Sequence, residues 1–215
     1  MSVLASHRPV TLIGGGAFSK DDIDDALALA PVVAAADGGA DAALAQGLVP
    51  EAVFGDFDSI SDHARAVIPA GRLHRITEQE HTDFEKCLSR IDAPLVLAVG
   101  FAGARQDHFL AALNTLARRV GPPCILIAGD DVITLAPPRI ALDLAAGTRV
   151  SLVPMAPASG RSTGLKWSID GLDFAPDGRV GTSNEATGPV KLSDIAGPML
   201  LILPRATLST LAAAL

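Results

Sequence analysis

The stretch Gly55-Asp56-Phe57-Asp58-Ser59-Ile60 carries two carboxylates one residue apart, directly after the apolar run Ala52-Val53-Phe54. In extended backbone the side chains alternate, so Asp56 and Asp58 would point to the same side of a strand end. Two like charges 4 Å apart repel by about 4 kcal/mol at a protein-like dielectric. Unless both face bulk water, a proton, a basic side chain or a metal must offset that repulsion. No Lys or Arg lies between Lys20 and Arg65, so a hard cation fits best. Mg²⁺ takes one or two carboxylates and completes its shell with water and substrate phosphates. A solvated acidic turn is the competing reading of an Asp-x-Asp pair taken alone.

The elements that would place this pair form an alternation of strands and helices. Val10 to Ile13 predicts a strand closed by Gly14-Gly15-Gly16, a pattern compatible with a phosphate cradle but not specific to one. Ser19 with Asp22 forms a capping box, followed by Ile23, Ala26, Leu27 and Ala30 at helical spacing. Val32 to Ala36 predicts a second strand, ending in Asp37-Gly38-Gly39, and Ala40 to Gln46 a helix stopped by Gly47. Ala52 to Phe54 is a third strand, Ser61 caps a helix that Pro69 and Gly71 end, and Leu73 to Ile76 is a fourth strand. Thr82-Asp83-Phe84-Glu85 is another capping box, which sets Asp83 at the first helical position beside the positive end of the dipole. After the strand Leu95 to Val99, the loop Gly103-Ala104-Arg105-Gln106-Asp107-His108 opens a helix with Leu110, Leu113, Leu116 and Ala117 on one face. Cys124 to Ala128 is one more strand.

Such alternation implies a mainly parallel sheet flanked by helices, whose ligands bind beyond the carboxyl ends of the strands. Gly14, Asp37, Asp56, Asp58, Arg105 and Asp107 all fall just after predicted strands. One edge therefore gathers nearly every unusual polar residue. After Asp131 the texture changes to short β-like runs punctuated by Gly and Pro: Arg139 to Leu144, Thr148 to Val153, Leu165 to Ile169, Pro189 to Leu192 and Met199 to Leu203. The expected organisation is an α/β domain over residues 1–131 and a small all-β sandwich over 132–215. Thr207 to Leu215 fits either a short helix or a frayed tail.

Twenty-four Asp and Glu against 17 Lys and Arg leave a net charge of −7. An acidic chain without basic clusters is a poor nucleic-acid or membrane-surface binder. The longest apolar-plus-Gly run, Ala93 to Ala104, falls far short of the ~20 residues that span a bilayer. Met1 to Ile13 lacks the pattern of a signal peptide. Cys87 and Cys124 have no metal-like spacing and sit in apolar surroundings, as buried thiols of a cytoplasmic protein do.

Taken together, the motifs resemble the thiamine pyrophosphokinase family. The stretches that carry the resemblance are Ala36-Asp37-Gly38-Gly39-Ala40-Asp41, Gly55 to Ile60, Gln79 to Lys86, Gly103 to His108, Gly164-Leu165-Lys166-Trp167 and Ser183-Asn184-Glu185. The family usually has Asn at the position of Asp41, Gly at Ala104 and Asp at Glu78 and Glu80. The resemblance implies an α/β catalytic domain, a β-sandwich and a homodimer with active sites near its interface. It also implies transfer of the pyrophosphoryl group of ATP to the hydroxyl of thiamine, giving thiamine diphosphate and AMP.

On this reading Asp56, Asp58 and Asp83 hold Mg²⁺ and Arg105 offers a fork of hydrogen bonds to phosphate. Asp107 orders Arg105 or acts as a helix cap, and Asp37 orients or deprotonates the thiamine hydroxyl or is a plain turn residue. Gly15, Gly38 and Gly39 serve the nucleotide, as do Arg105 and Asp107. Gln79, Ser183 and Asn184 contact thiamine, and Trp167 either faces its cationic thiazolium or sits in the sandwich core. Two other functions share these motifs: a pyrophosphokinase for another alcohol, such as a hydroxymethylpterin, and a non-catalytic thiamine or nucleotide sensor.

Overall fold

A computed structural model describes residues 3–103 and 105–215; the departure at Ala104 lies outside the described residues. The chain divides into two units, Met1–Thr115 with Arg119–Gly129, and Leu116–Arg118 with Asp130–Leu215.

In the first unit the elements run β1 (Leu4–Ala5), β2 (Val10–Ile13), α1 (Lys20–Leu29), β3 (Val32–Ala36), α2 (Gly39–Ala45), β4 (Ala52–Gly55) and α3 (Asp62–Val67). There follow β5 (Leu73–Arg75), α4 (Asp83–Leu88), β6 (Ile91–Asp92), β7 (Val96–Val99), α5 (Gln106–Ala117) and β8 (Cys124–Ala128). The strand pairs β2 with β7, β7 with β8, β3 with β4, and β4 with β5 are parallel. Val10, Leu12 and Ile13 of β2 are all fully buried, as are Val96 to Val99 of β7. Both faces of these strands are thus covered, which is why they read as unbroken apolar runs instead of alternating ones.

The helix starts follow their caps. Ser19 and Asp22 form a complete capping box at α1. The Oγ atoms of Ser61 and the Oγ1 of Thr82 accept from the third residue on, Ala64 and Glu85, at α3 and α4. On α5 the buried face is Ala112, Thr115 and Leu116, whereas Leu110 is 62% exposed. The expected stripe through Leu110 is therefore rotated, because the inward row follows 109, 112 and 116 at the same helical spacing.

The second unit holds β9 (Asp131–Leu135), β10 (Ile140–Leu142), β11 (Arg149–Pro154), β12 (Ser159–Leu165), β13 (Gly181–Ala196), β14 (Met199–Pro204) and α6 (Leu208–Ala214). It is built around the 16-residue β13, which pairs antiparallel with β11 through Glu185 and with β12 and β10 beyond it. β11 pairs with β14, and β14 with β9. One strand thus serves two sheets, the way sandwiches make their corners. Leu208 and Leu211 bury one face of α6, so the C-terminal residues form a helix.

Candidate active site

Asp37 follows β3 in the left-handed region, φ 40°, which Asp tolerates better than most residues. Its N–H donates to the Phe54 carbonyl and its carbonyl accepts from Ala40, so the backbone there is pinned on both sides. The side chain, 4% exposed, is turned against the end of β4. It fits because position 55 has no side chain: a Cβ on Gly55 would lie 2.8 Å from the Asp37 Cβ.

Asp56 and Asp58 do not sit on extended backbone. β4 ends at Gly55 and Phe57 is left-handed, φ 67°, so a turn, not strand alternation, sets the two carboxylates together. An aromatic residue in that region is an outlier that the surroundings must hold. Its ring packs on the cluster of Ala35, Ala40, Val53, Ile60, Ala64 and Ile68. Arg65 donates to the Phe57 carbonyl and Arg75 to that of Asp56. Both arginines thus bond the backbone of the loop, leaving the carboxylates free of them.

Carboxylate oxygens of Asp37, Asp56 and Asp58 lie within 4.8 Å of one another. Gln79 Nε2 donates to Asp56 Oδ2 at 2.9 Å, the Asp58 N–H to Asp56 Oδ1 at 3.3 Å, and Ser59 Oγ to Asp58 Oδ1 at 2.8 Å. The bond from Gln79, with that from the Asp58 N–H, holds the Asp56 carboxyl below its usual range. Burial, then a hydrogen bond with Asp58 and the charge of Asp83, push Asp37 up to about 7. Asp37 Oδ1 is buried with no hydrogen-bond partner among the described residues. A buried oxygen left unpaired, facing two more carboxylates, is what a hard cation with oxygen ligands would complete.

These residues line a cleft of about 810 Å³ within the first unit, shared by Asp83, Gln79, Arg105, Gly15 and Gly38. Asp83 stands beside the group of three and not within it, its Oδ1 bonded at 3.3 Å to the Nζ of Lys86. Arg105 and Asp107 form a two-pronged pair, Nη2 to Oδ2 at 2.6 Å and Nε to Oδ1 at 3.2 Å, both well exposed. That pairing holds the Asp107 carboxyl down at about 2. Arg105 reaches the cleft wall; Asp107 does not line it. Gly39 is a packing residue, since a Cβ there would meet the Ile13 carbonyl oxygen at 2.1 Å.

The two departures from the family pattern that the structure describes have local uses. Asp41 accepts from the N–H and Oγ of Ser61, tying α2 to the start of α3. Glu78 accepts from the N–H groups of Glu80 and His81 and contacts His81 Nδ1 at 3.2 Å, folding the loop that carries Gln79. Glu80 is exposed.

Trp167, Ser183 and Asn184 line a separate cavity of about 330 Å³ in the second unit. Trp167 is 56% exposed, which excludes the sandwich core for it, and Lys166 Nζ lies 5.0 Å from its ring centre. Asn184 is buried and spends its amide on the Trp167 backbone: Nδ2 donates to the Trp167 carbonyl at 2.7 Å and Oδ1 accepts from its N–H at 3.2 Å. Ser183 is left-handed and exposed, its N–H bonded to Ser151 Oγ.

Two family models match consecutive parts of the chain: the thiamin pyrophosphokinase catalytic domain over residues 23–126 and the thiamin pyrophosphokinase vitamin B1 binding domain over residues 139–193. The chain belongs to the thiamine pyrophosphokinase family. Thiamine pyrophosphokinase 1 of Oryza sativa subsp. japonica is 29% identical over 154 residues, covering 63% of this chain and 58% of that protein. Thiamine pyrophosphokinase 2 of Arabidopsis thaliana gives the same identity and coverage. The chain thus matches under two thirds of the length of these curated relatives. Among solved structures, the thiamin pyrophosphokinases of Candida albicans and of yeast share the fold, with TM-scores of 0.76 and 0.74 at 16% and 18% identity. The alignments cover 92% and 98% of this chain and 89% and 90% of those chains.

One charged residue of the cleft is not singled out by the sequence reading. Lys86 lines the cavity with its side chain 3% exposed. Its signal was present: a lysine inside the otherwise buried helical run Phe84 to Leu88, one turn after Asp83.

Proposed function

We propose that this protein transfers the pyrophosphoryl group of ATP to the hydroxyl of thiamine, giving thiamine diphosphate and AMP. The observation that carries the reading is the buried, unpartnered Asp37 oxygen facing Asp56 and Asp58 at the carboxyl edge of a parallel sheet. The two family models, a catalytic and a vitamin B1 binding domain in that order, favour thiamine over a pterin alcohol and an enzyme over a sensor.

Asp37, Asp56 and Asp58 would hold Mg²⁺, with Asp83 the fourth carboxylate at hand. The ion, when bound, supplies charge neutralisation for the phosphate oxygens. Transfer of this kind depends mainly on positioning and on offsetting developing charge. Gln79 fixes Asp56 through Nε2, and its Oε1 is the acceptor left for the amino group of the thiamine pyrimidine. As a member of the acidic group, Asp37 would bind charge in place of deprotonating the acceptor. Arg105 contacts phosphate as a planar fork, and Asp107 holds that fork in one orientation. Gly15 and Gly38 bring backbone to the nucleotide without side chains in the way.

On the acceptor side, Trp167 presents an exposed ring to the thiazolium cation, with Asn184 fixing the Trp167 backbone and Ser183 on the same cavity wall. The reading includes a homodimer in the cytoplasm, without nucleic-acid or membrane partners. Both cysteines are buried, and no helix among the described residues is long and apolar enough to cross a membrane.

The test is product analysis with thiamine, ATP and Mg²⁺. Equal amounts of thiamine diphosphate and AMP, formed only with the metal, support the reading. Intact thiamine alongside ADP or unchanged ATP overturns it.

A further inference from the structure

We propose that Lys86 is a catalytic residue of this cleft, an ammonium held in its wall to bind the polyphosphate of the nucleotide. The inference rests on the reading given under Proposed function and names the group that receives the phosphate charge.

A lysine stem ordinarily runs along the surface so that its head stays in water. Lys86 does the opposite: its side chain is 3% exposed in the middle of a buried helical segment. Burying a charge is costly unless it is paired and hydrogen-bonded. Here the pairing is thin. Among the described residues the only hydrogen-bond acceptor for Nζ is Asp83 Oδ1, at 3.3 Å, on a side chain that is itself 46% exposed. An ammonium carries three donors, so two remain for something that enters the cleft.

The charge of the cleft says what that is. Its walls hold four carboxylates: Asp37, Asp56, Asp58 and Asp83. Arg105, the other strong cation on its wall, is 69% exposed and has its charge partly offset by Asp107. Lys86 is thus the one buried lysine or arginine among the described residues lining the cleft. A compact point charge with rotatable donors suits phosphate oxygens that shift position during transfer. A lysine needed only to balance Asp83 could do so from solvent, where a half-exposed carboxylate costs little.

The experiment measures binding of α,β-methylene-ATP, which cannot transfer its terminal pyrophosphoryl group, and of thiamine, by calorimetry in the presence of Mg²⁺. Lys86→Met is expected to weaken nucleotide binding about 10- to 100-fold, the range of a hydrogen bond to a charged group, with thiamine affinity unchanged. The same substitution is made in an Asp83→Asn background. A further loss of similar size there shows that Lys86 acts on the nucleotide and not through Asp83; no further loss overturns the proposal, as does unaltered nucleotide affinity in the single variant. If Lys86→Met alone does not fold, the double variant, which leaves neither charge unpaired, is compared with Asp83→Asn and decides in the same way. A wild-type protein that binds no nucleotide overturns the transferase reading itself, whereas turnover and binding that ignore Lys86→Met overturn only this assignment.

Discussion

At the scale of single residues, the cleft stores its strain in one carboxyl group. Asp37 is ionised near pH 4 in the unfolded chain and near pH 7 in the folded one, so the folded protein holds a proton there that the unfolded protein has released. Stability present at pH 4 is therefore lost progressively as pH rises to about 7, by at most about 4 kcal/mol. Asp37→Asn removes that loss. We expect the variant, in EDTA, to be more stable than wild type at pH 8 and little different at pH 4, read from denaturant midpoints, while its turnover disappears. A variant less stable than wild type at pH 8 would show that Asp37 is not held against its own charge. Asp58 is different, being exposed and already bonded to Ser59. Asp58→Asn should shift stability by no more than about 0.5 kcal/mol but lower turnover about 100- to 1,000-fold, as loss of a group that offsets transition-state charge does. Near-normal turnover in Asp58→Asn would remove Asp58 from the donor set.

At the scale of elements, two loops must approach within contact for the acidic group to exist, and a glycine permits it. A Cβ at position 55 would stand 2.8 Å from the Asp37 Cβ and 3.3 Å from its Cα, so backbone has to move. Gly55→Ala is expected to cost about 1–3 kcal/mol, the range of overpacking, and to abolish metal-dependent turnover even where the protein remains folded. Full activity in a folded Gly55→Ala protein would show that the Asp37 position is not needed. The parallel strands and the helix caps at Ser19, Ser61 and Thr82 were legible because apolar runs and caps are local signals. The left-handed Phe57 was not, since nothing in Asp56-Phe57-Asp58 distinguishes a turn from a strand end until the apolar cluster under the ring is known. Nor was β12, whose residues Ser159 to Leu165 are mostly small and polar and gain their strand only from β13. In sequence β13 reads as Pro189 to Leu192 alone, because Gly181 and Gly188 look like breaks, yet the strand runs through them while changing partners. Asp37, Asp56 and Asp58 are each legible as candidates in the sequence, but their assembly into one group of three depends on that glycine contact.

At the scale of the whole molecule, the proposed chemistry is divided between two units, each with its own cavity. The first gathers the carboxylates, Lys86 and Arg105; the second presents Trp167 beside Ser183 and Asn184. If the second serves thiamine, damage to it should leave the nucleotide side untouched. Trp167→Ala removes an exposed ring whose face already attracts a cation, Lys166 at 5.0 Å. A cation–π contact at an exposed ring contributes about 0.5–1 kcal/mol, so the Michaelis constant for thiamine should rise roughly two- to fivefold at 25 °C. The affinity for α,β-methylene-ATP with Mg²⁺ should stay as in wild type. Asn184→Ala should act in the same direction, because both ends of its amide hold the Trp167 backbone in place. Its effect should vanish in a Trp167→Ala background, since a positioning residue has nothing left to position. An unchanged thiamine constant in Trp167→Ala would sink the assignment of this cavity to the acceptor. A loss in Asn184→Ala that persists without the ring would mean that Asn184 supports the fold of the second unit and not its site.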